Sequence, residues 1–263
     1  MPKFAANLTM MFNEVDFLDR FAAAAAAGFA GVEYLFPYPY EKDRLAEELA
    51  ANDLTQALHN LPAGDWAGGE RGIAIFPDRV GEFQDGVGQA IEYAKLLDCA
   101  QLNCLAGVAA GDKDPDSLKT TLVENLRFAS DKLAAEGISL LIEPINTRDI
   151  PGFYLNRTSQ ALDIIERVGS DNLFIQYDIY HMQIMEGDLA TTIENNLDRI
   201  RHVQLADNPG RHEPGTGEIN YAYLFEFLDR VGYGGWIGCE YKPATTTEQG
   251  LGWFAPYAKA QSV

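Results

Sequence analysis

Four polar residues in the second half of the chain stand at or near the ends of short apolar segments. Glu143, Asp178 and Glu240 each come directly after the apolar part of such a segment, and Gln204 lies close to the end of another. If the segments are consecutive parallel strands, their carboxyl ends bring the four side chains to one rim. Three carboxylates at one place repel each other unless a cation neutralises them. Because oxygen-only ligands select a hard cation over zinc, we expect a divalent cation, Mg²⁺ or Mn²⁺, on these four residues rather than four unrelated surface groups.

Two histidines stand near the same predicted strand ends. His181 lies three residues beyond Asp178, and His59 ends an earlier strand-like segment. At the rim, His181 would hydrogen-bond a substrate hydroxyl or polarise a carbonyl, and the alternative is a structural histidine that caps the next helix. His59 would bind substrate or simply fill the rim, and the sequence does not favour either.

A glycine-rich segment at residues 62–72 contains Arg71. It lacks the spacing of phosphate-binding loops, so a nucleotide is not expected there. Arginine presents a planar fork that matches a carboxylate, which makes Arg71 a candidate for binding an acidic substrate. The alternative is an exposed arginine in a loop.

Short apolar segments alternate with longer helical patterns along the whole chain. The predicted strands are Phe4–Met10, Gly31–Phe36, Leu54–His59, Gln101–Leu105, Ile138–Glu143, Leu173–Asp178, His202–Leu205 and Trp236–Glu240. The predicted helices are Asp16–Ala27, Glu41–Ala51, Arg79–Leu97, Pro115–Ala135, Thr158–Val168, Asp188–Leu197, Tyr221–Val231 and a weaker one at Thr245–Ala258.

Strict alternation of strands and helices predicts an α/β protein with a parallel sheet and crossover helices. Eight such units in 263 residues favour a closed (β/α)₈ TIM barrel over an open sheet, since that fold takes about 250 residues. No linker or low-complexity stretch interrupts the pattern. We therefore expect a single TIM-barrel domain over residues 1–263.

The charge balance limits the classes of partner. Twenty basic against thirty-nine acidic residues give a net charge of −19, which disfavours nucleic acid and anionic membrane surfaces. Three cysteines without a C-x-x-C pair, and no signal peptide or membrane-spanning run, indicate the cytoplasm. We expect a small-molecule partner, and an anionic substrate then needs local positive charge from a metal or an arginine. The oligomeric state stays open, a homo-oligomer included.

Several motifs together resemble the hydroxypyruvate isomerase family, which belongs to the xylose-isomerase-like TIM barrels. They run in order along almost the whole chain: Asn60–Trp66 with Gly69–Gly72, Glu143–Asn146, Asp178-x-x-His181, His202–Asp207, Pro209–Gly217 and Gly238–Tyr241. The bacterial branch that acts on 2-oxo-tetronate is the most similar. The family's epimerase cousins carry histidine where this chain has Gln204, so the isomerase branch is favoured.

The resemblance implies a divalent metal held by Glu143, Asp178, Gln204 and Glu240, with Glu143 and Glu240 as the proton donor and acceptor. It also implies a substrate contact from an arginine after the seventh strand, for which Arg211 is the candidate. The implied reaction converts 2-oxo-tetronate to 3-oxo-tetronate through an enediolate, without a nicotinamide.

Alternatives remain at this stage. Hydroxypyruvate, converted to tartronate semialdehyde, differs from the four-carbon acid by one CH(OH) unit, and the sequence does not show the volume of the pocket. A sugar 3-epimerase and a sugar-acid dehydratase would use a similar metal rim. Mg²⁺ against Mn²⁺, and which glutamate acts as base in the forward direction, are also left open.

Overall fold

Eight parallel strands close into one barrel in the computed structural model, which describes residues 2–109, 111 and 114–258. The strands follow each other around the barrel in chain order. They are β1 Lys3–Asn7, β2 Gly31–Glu33, β3 Thr55–Asn60, β4 Gln101–Cys104, β5 Ser139–Ile142, β6 Leu173–Asp178, β7 Ile200–Leu205 and β8 Trp236–Cys239. The closed (β/α)₈ barrel predicted from the alternation is confirmed.

Helices follow each of the eight strands. They are α1 Asp19–Ala26, α2 Lys42–Ala51, α3 Val80–Leu96, α4 Pro115–Ala135, α5 Thr158–Val168, α6 Ile179–Met185, α7 Leu189–Asn195, α8 Tyr221–Arg230, α9 Thr247–Gly250 and α10 Ala255–Ala258, with short 3₁₀ turns at Pro77–Arg79 and Leu251–Trp253. Helix α4 shows how the sequence sets such an element. Asp114 accepts hydrogen bonds from the backbone N–H groups of Asp116 and Ser117, and Pro115 occupies the first turn.

The structure corrects several predicted boundaries, among them that of the second strand, which was expected to run to Phe36 and ends at Glu33. The first strand was expected to run to Met10, but it ends at Asn7, where the backbone N–H groups of Met10 and Met11 both donate to the Asn7 carbonyl. The helix expected at Thr245–Ala258 is broken into α9, a 3₁₀ turn and α10. Gly250 and Gly252 lie at the break, and glycine is a poor helix former.

Helix α6 was not predicted, and it matters for the site because it begins directly after Asp178. The Asp178 carboxylate caps this helix by accepting from the backbone N–H groups of Tyr180 at 2.8 Å and His181 at 3.3 Å. With 7 residues, this helix makes about two turns, which is too short for a helical repeat of apolar residues to be recognised in the sequence. Its effect is to hold His181 beside the end of β6.

The register of the strands places residues that are far apart in the sequence side by side on neighbouring strands. Asp178 on β6 pairs with Gln204 on β7, and Gln204 pairs with Gly238 on β8. Glu240 follows two residues after Gly238, and Glu143 comes directly after β5. The carboxyl ends of four consecutive strands therefore meet at one rim of the barrel, as the sequence predicted.

Side chains alternate between the barrel interior and the layer under the helices. On β6, the inward positions carry Gln176 and Asp178, whereas Ile175 and Tyr177 face the helices and are fully buried. The interior is thus polar close to the rim and the outer layer is apolar. Among the described residues, none of the helices has the length and apolar character needed to cross a lipid bilayer.

Candidate active site

Three carboxylates and one imidazole form a compact cluster at the carboxyl end of the barrel. Each of Glu143, Asp178, His181 and Glu240 offers an atom that lies within 4.8 Å of the others, and all four are buried. The structure thus brings together three of the four residues expected to hold a cation, and adds His181 to them.

A cavity of about 680 Å³ opens onto this cluster. Its lining includes four basic side chains, Arg71, Arg148, Arg211 and Lys242. The chain as a whole is strongly acidic, so these residues supply the local positive charge that an anionic ligand requires. Of these four, only Arg71 and Arg211 were expected from the sequence, because Arg148 and Lys242 stand in loops without a recognisable motif.

Burial and mutual repulsion disturb the titration of the cluster. Burial, together with the charges of Glu240 and Asp178, raises the pKa of Glu143 well above its ordinary value. Burial also raises the pKa of Glu240, to about 8, although the guanidinium of Arg211 opposes the shift. The pKa of Asp178 is raised by burial as well. A cluster of this kind holds protons near neutral pH unless a cation replaces them.

Arg211 reaches into the cluster from the loop after β7. Its guanidinium lies 2.8 Å from Glu240 Oε2 and 3.9 Å from Asp178 Oδ2, and stands over the ring of Tyr180. Burial alone would lower the pKa of Arg211, but the neighbouring carboxylates raise it above its usual value. The expected arginine is therefore at the site, paired with the carboxylate of Glu240.

Asp207 fixes the loop that carries Arg211. Its fully buried carboxylate accepts from four backbone N–H groups, those of Asn208, Gly215, Gly217 and Ile219, at 2.9 to 3.1 Å. Each bond to an ionised acceptor is stronger than one between neutral groups. The sequence placed Asp207 in a motif but gave it no role, and the structure shows that it ties both ends of the loop together.

The residues of the cluster fit a divalent cation. Asp178 Oδ2 is buried and accepts no hydrogen bond from the described residues, because His181 Nε2 at 3.6 Å and the Arg211 guanidinium at 3.9 Å are too far away for one. Three carboxylates around one point match the preference of Mg²⁺ and Mn²⁺ for oxygen ligands.

The hydrogen bonds of Asn146 decide which nitrogen of His181 carries a proton. Asn146 Oδ1 accepts from the backbone N–H of Asp149 at 2.7 Å, so its amide nitrogen faces His181 Nδ1 at 2.6 Å. Nδ1 must accept that bond, which places the hydrogen of the neutral ring on Nε2. Burial and the nearby Arg211 charge lower the pKa of His181 well below its ordinary value. The ring therefore presents a neutral Nε2–H towards Glu143 and Asp178, at 3.8 and 3.6 Å.

Gln204 lines the cavity, and its amide is held on both sides. Its Nε2 donates to Glu33 Oε1 at 2.8 Å, and its Oε1 accepts from Gln176 Nε2 at 2.6 Å. Glu33 is fully buried and was missed by the sequence analysis. A signal was available, because Glu33 is an acid after a short apolar strand like Glu143. The predicted strand runs to Phe36 and so contains Glu33 in its interior, whereas β2 ends at Glu33.

His59 does not reach the cavity. It is fully buried and packs edge-on against the ring of Tyr38, whose centroid is 6.2 Å away. On β3 the residues that line the cavity are Leu58 and Asn60, so alternation along the strand turns His59 to the opposite face. The substrate contact expected at His59 does not agree with this position, and burial lowers the pKa of its ring to about 3.

Arg71 borders the cavity beside Trp66. Its guanidinium stands 4.1 Å from the centre of the Trp66 ring and donates to the backbone carbonyls of Trp66 and Glu70. These contacts orient the guanidinium of Arg71. Among the described residues, no carboxylate forms an ion pair with it. The position agrees with the expectation of an arginine that binds an anionic substrate.

The chain is similar to several known proteins over nearly its full length. The family model described as a xylose isomerase-like TIM barrel matches residues 21–257. Hydroxypyruvate isomerase of Escherichia coli is 57% identical over 98% of this chain and 100% of the relative. A 2-oxo-tetronate isomerase of Cupriavidus necator is 52% identical over 98% of this chain and 99% of the relative. A crystal structure described as an AP endonuclease, family 2, from Brucella melitensis has a TM-score of 0.96 and 52% identity, covering 98% of this chain and 99% of that one.

Proposed function

Because this chain belongs to the xylose isomerase-like TIM barrel family and is an isomerase of small oxo acids, we propose that its substrate is 2-oxo-tetronate, which it converts to 3-oxo-tetronate. The observation that carries the proposal is the buried pair of Glu143 and Glu240 in one cluster beneath a cavity lined by basic side chains. Moving a carbonyl to the adjacent carbon needs one group that removes a proton and another that returns one.

Glu143 and Glu240 are the two groups that move protons. Burial raises the pKa of both side chains in the metal-free site, and the charge of a bound cation would lower it again. The balance of these two effects sets how readily each glutamate takes up and releases a proton. One glutamate removes the proton from the carbon next to the carbonyl, and the other delivers a proton to the neighbouring carbon. Which of them acts as base depends on the face of the substrate that each one meets.

A divalent cation, Mg²⁺ or Mn²⁺, held by Glu143, Asp178, Gln204 and Glu240 would polarise the substrate carbonyl and offset the negative charge of the reaction. His181 donates its Nε2–H to a substrate oxygen. A neutral imidazole suits this role because its hydrogen bond strengthens as charge builds up on that oxygen, while the ring keeps its proton.

Arg71 and Arg211 bind the anionic part of the substrate. Arg71 stands at the cavity beside Trp66, and we propose that its fork takes the substrate carboxylate. Arg211 lies deeper, against Glu240, where it would contact the oxygens of the reacting end. The acid is thereby held with its carbonyl at the carboxylate cluster and its carboxylate towards the mouth of the cavity.

Hydroxypyruvate is the second candidate substrate, because the relative from Escherichia coli at 57% identity carries that name. It has the same carboxylate and carbonyl as 2-oxo-tetronate and one CH(OH) unit fewer. The same residues would therefore act on either acid, and the length of the cavity between Arg71 and the cluster decides between them.

We further propose that the protein works in the cytoplasm on a small hydroxy or oxo acid, without nucleic acid or a membrane as partner. The three cysteines are free and buried, which agrees with a reducing compartment. The net charge of −19 opposes contact with phosphate backbones and anionic lipids.

Proton NMR in D₂O tests the proposed reaction. The enzyme with Mn²⁺ or Mg²⁺ is incubated with 2-oxo-tetronate, and with hydroxypyruvate in a parallel tube, while Glu240→Gln serves as the matched inactive variant. We expect conversion without loss of water, with deuterium entering at the carbon next to the carbonyl and faster turnover of the four-carbon acid. Faster turnover of hydroxypyruvate would reassign the substrate, and no exchange in either tube would exclude the proposed chemistry.

A further inference from the structure

A row of buried polar side chains crosses the barrel beneath the carboxylate cluster. It runs from Gln101 through His202, Glu33 and Gln204 to Gln176, and each of these residues is at most 7% exposed. The bonds along it are 3.1, 2.7, 2.8 and 2.6 Å long. A network this deep is stable only if every donor meets an acceptor, so the direction of each bond can be worked out.

The direction is set at one end by a backbone carbonyl. Gln101 Nε2 donates to the carbonyl of Ala57 at 3.1 Å, which fixes the orientation of the amide. The same nitrogen faces His202 Nδ1, so Nδ1 is the acceptor and the hydrogen of the ring sits on Nε2. His202 therefore donates to Glu33 Oε2.

A second backbone group sets the direction from β1. The backbone N–H of Thr9 donates to Asn7 Oδ1 at 3.1 Å, which turns the amide nitrogen of Asn7 towards Glu33 Oε1 at 2.9 Å. Glu33 thus accepts hydrogen bonds from His202 and Asn7, and the direction of both bonds is fixed by the other partners of these two residues. A carboxylate only accepts, so the group that Gln204 points at Glu33 must be its NH₂.

We propose that Glu33 is a positioning residue that turns the amide oxygen of Gln204 towards the cation site. This inference rests on the proposed role of Gln204 as a ligand of a divalent cation. An amide carries its oxygen opposite its NH₂, so the bond to Glu33 leaves Oε1 facing away from Glu33. Gln176 occupies one lone pair of that oxygen, and the second lone pair remains for the cation. If the Gln204 amide were flipped by 180°, its NH₂ group would face the cation site and could not coordinate the cation.

Gly238 provides the space that Glu33 requires. A Cβ at position 238 would lie 2.2 Å from Glu33 Oε2 and 2.4 Å from its Oε1, closer than any atoms pack. Gly238 is also the register partner of Gln204 on β8. The absence of a side chain at position 238 lets the carboxylate of Glu33 lie within reach of Gln204. This requirement explains why a glycine stands two residues before Glu240.

The test measures Mn²⁺ affinity of the metal-stripped protein by isothermal titration calorimetry. Glu33→Ala removes the acceptor, and we expect Mn²⁺ to bind about tenfold more weakly or worse, as is usual when a group that orients a ligand is lost. Glu33→Gln is the matched control, because it removes the charge but keeps an oxygen that Asn7 and Gln204 can share, while its NH₂ takes the place of the oxygen that accepts from His202. We expect its affinity to stay within about threefold of the wild type. Equal losses in both variants would show that an oxygen facing Gln204 is not what Mn²⁺ binding requires of residue 33, and would overturn the proposal.

A double-variant cycle tests whether Glu33 acts through Gln204. In a Gln204→Ala background, we expect Glu33→Ala to change the Mn²⁺ affinity by no more than about twofold, since the group that it orients is gone. The same fold-loss in both backgrounds would contradict the proposal. If the wild-type protein binds no Mn²⁺, the proposed cation site fails and this inference fails with it, whereas unchanged affinity in Glu33→Ala overturns this inference alone.

A glycine variant keeps the test decisive if Glu33→Ala does not fold. Gly238→Ala retains all the polar groups and displaces the Glu33 carboxylate, so we expect the same loss of Mn²⁺ affinity, again absent in the Gln204→Ala background. Gly234→Ala is the control, because a Cβ at that position meets nothing within 4 Å. Unchanged affinity in a folded Gly238→Ala protein would also refute the positioning role.

Discussion

At the scale of single residues, burial in the folded protein, and not the adjacent residues in the sequence, shifts the pKa values of the carboxylates in the cluster. Burial raises the pKa of both glutamates in the metal-free site, helped at Glu143 by the charges of Glu240 and Asp178 and at Glu240 by the charge of Asp178, so each is easier to protonate than an exposed glutamate. His181 is affected in the opposite direction, because burial and Arg211 disfavour its charged form. The site thus combines acids that can carry a proton with an imidazole that stays neutral, which suits a proton transfer between two carbons.

The raised pKa of Glu240 predicts how stability depends on pH in the metal-free protein. The pKa is about 8 in the folded chain against an ordinary 4.5, so the folded state binds more protons than the unfolded state between these values. The free energy of unfolding should therefore fall as the pH rises through this window, by an amount on the order of a few kcal/mol. Urea unfolding in EDTA at pH 5.5, 7 and 8.5 measures it.

The matched variants isolate Glu240 in that experiment. Glu240→Gln removes one titrating group, so its stability should fall less steeply with pH, while Glu143 and Asp178 keep part of the slope. Glu92→Gln, at an exposed helix position, should leave the slope as in the wild type. Equal slopes for the wild type and Glu240→Gln would contradict the assignment.

At the scale of elements, the loops beyond the strands carry the groups that meet the substrate. Asp207 ties the ends of the loop after β7 together and so fixes Arg211, whereas helix α6 holds His181 against the end of β6. The loop after β3, which carries Arg71, is fixed instead by the close packing of its backbone at Gly72 against the backbone of neighbouring segments. Gly72 donates from its N–H to the Ala63 carbonyl, and its Cα faces the carbonyl of Leu105.

Two glycines of this loop form a matched pair. Both Gly69 and Gly72 have positive φ, at +100° and +110°, but a Cβ at Gly72 would lie 2.2 Å from Leu105 O while one at Gly69 meets nothing within 4 Å. Gly69→Ala should cost about 1 kcal/mol of stability from backbone strain alone. Gly72→Ala should cost about 3 kcal/mol or more, because the backbone must also shift. Urea denaturation compares them.

The same pair reports on the position of Arg71. Since the neighbouring Gly72 has to move, Gly72→Ala should raise KM for the acid substrate, and Gly69→Ala should leave KM close to the wild-type value. Similar stabilities and similar KM values for the two variants would argue against close backbone packing as the feature that fixes this loop.

At the scale of the whole molecule, closure of the barrel assembles the site from residues far apart in the chain. His202 and Glu33 are 169 residues apart and lie side by side because β1, β2, β7 and β8 are neighbours around the closed sheet. Closure also places the acidic cluster inside a strongly acidic protein, with four basic side chains at the cavity. A cation that relieves the repulsion should therefore stabilise the entire fold.

Removing and restoring the metal tests this coupling. A ligand that binds only the folded state at about 100 times its Kd adds about 2.7 kcal/mol of stability. For a chain of this size, Mn²⁺ should then raise Tm by roughly 5 to 10 °C over the value in EDTA, and restore isomerase activity that EDTA removes. Differential scanning calorimetry measures the shift.

Asp178→Asn is the variant to compare, because it removes a charged oxygen that has no hydrogen-bond partner among the described residues. Its Tm should change little on addition of Mn²⁺, at matched ionic strength. A wild-type protein with full activity after exhaustive chelation, and no thermal shift with Mn²⁺ or Mg²⁺, would rule out the metal-dependent mechanism.

The sequence predicted the barrel because its main signals are local. Apolar segments of strand length recur between helical patterns, and each unit repeats within about thirty residues. The same local pattern placed Glu143, Asp178, Gln204 and Glu240 at or near strand ends, since a polar residue at the end of an apolar run is recognised without knowledge of the rest of the chain. The fold and the isomerase family are confirmed, whereas the roles of these residues and the single domain over residues 1–263 stay predictions.

Tertiary structure alone decided the remaining features of the site. A side chain at a strand end faces either the cavity or the helices according to the register, so His59 and Asn60 took opposite sides although they are adjacent. The role of Glu33 depends on partners contributed by β1 and β7, and the proton position on His181 depends on Asn146 from the loop after β5. A hydrogen bond has a direction that only its neighbours in space can fix, which is why the sequence provided the ligands but not their orientation.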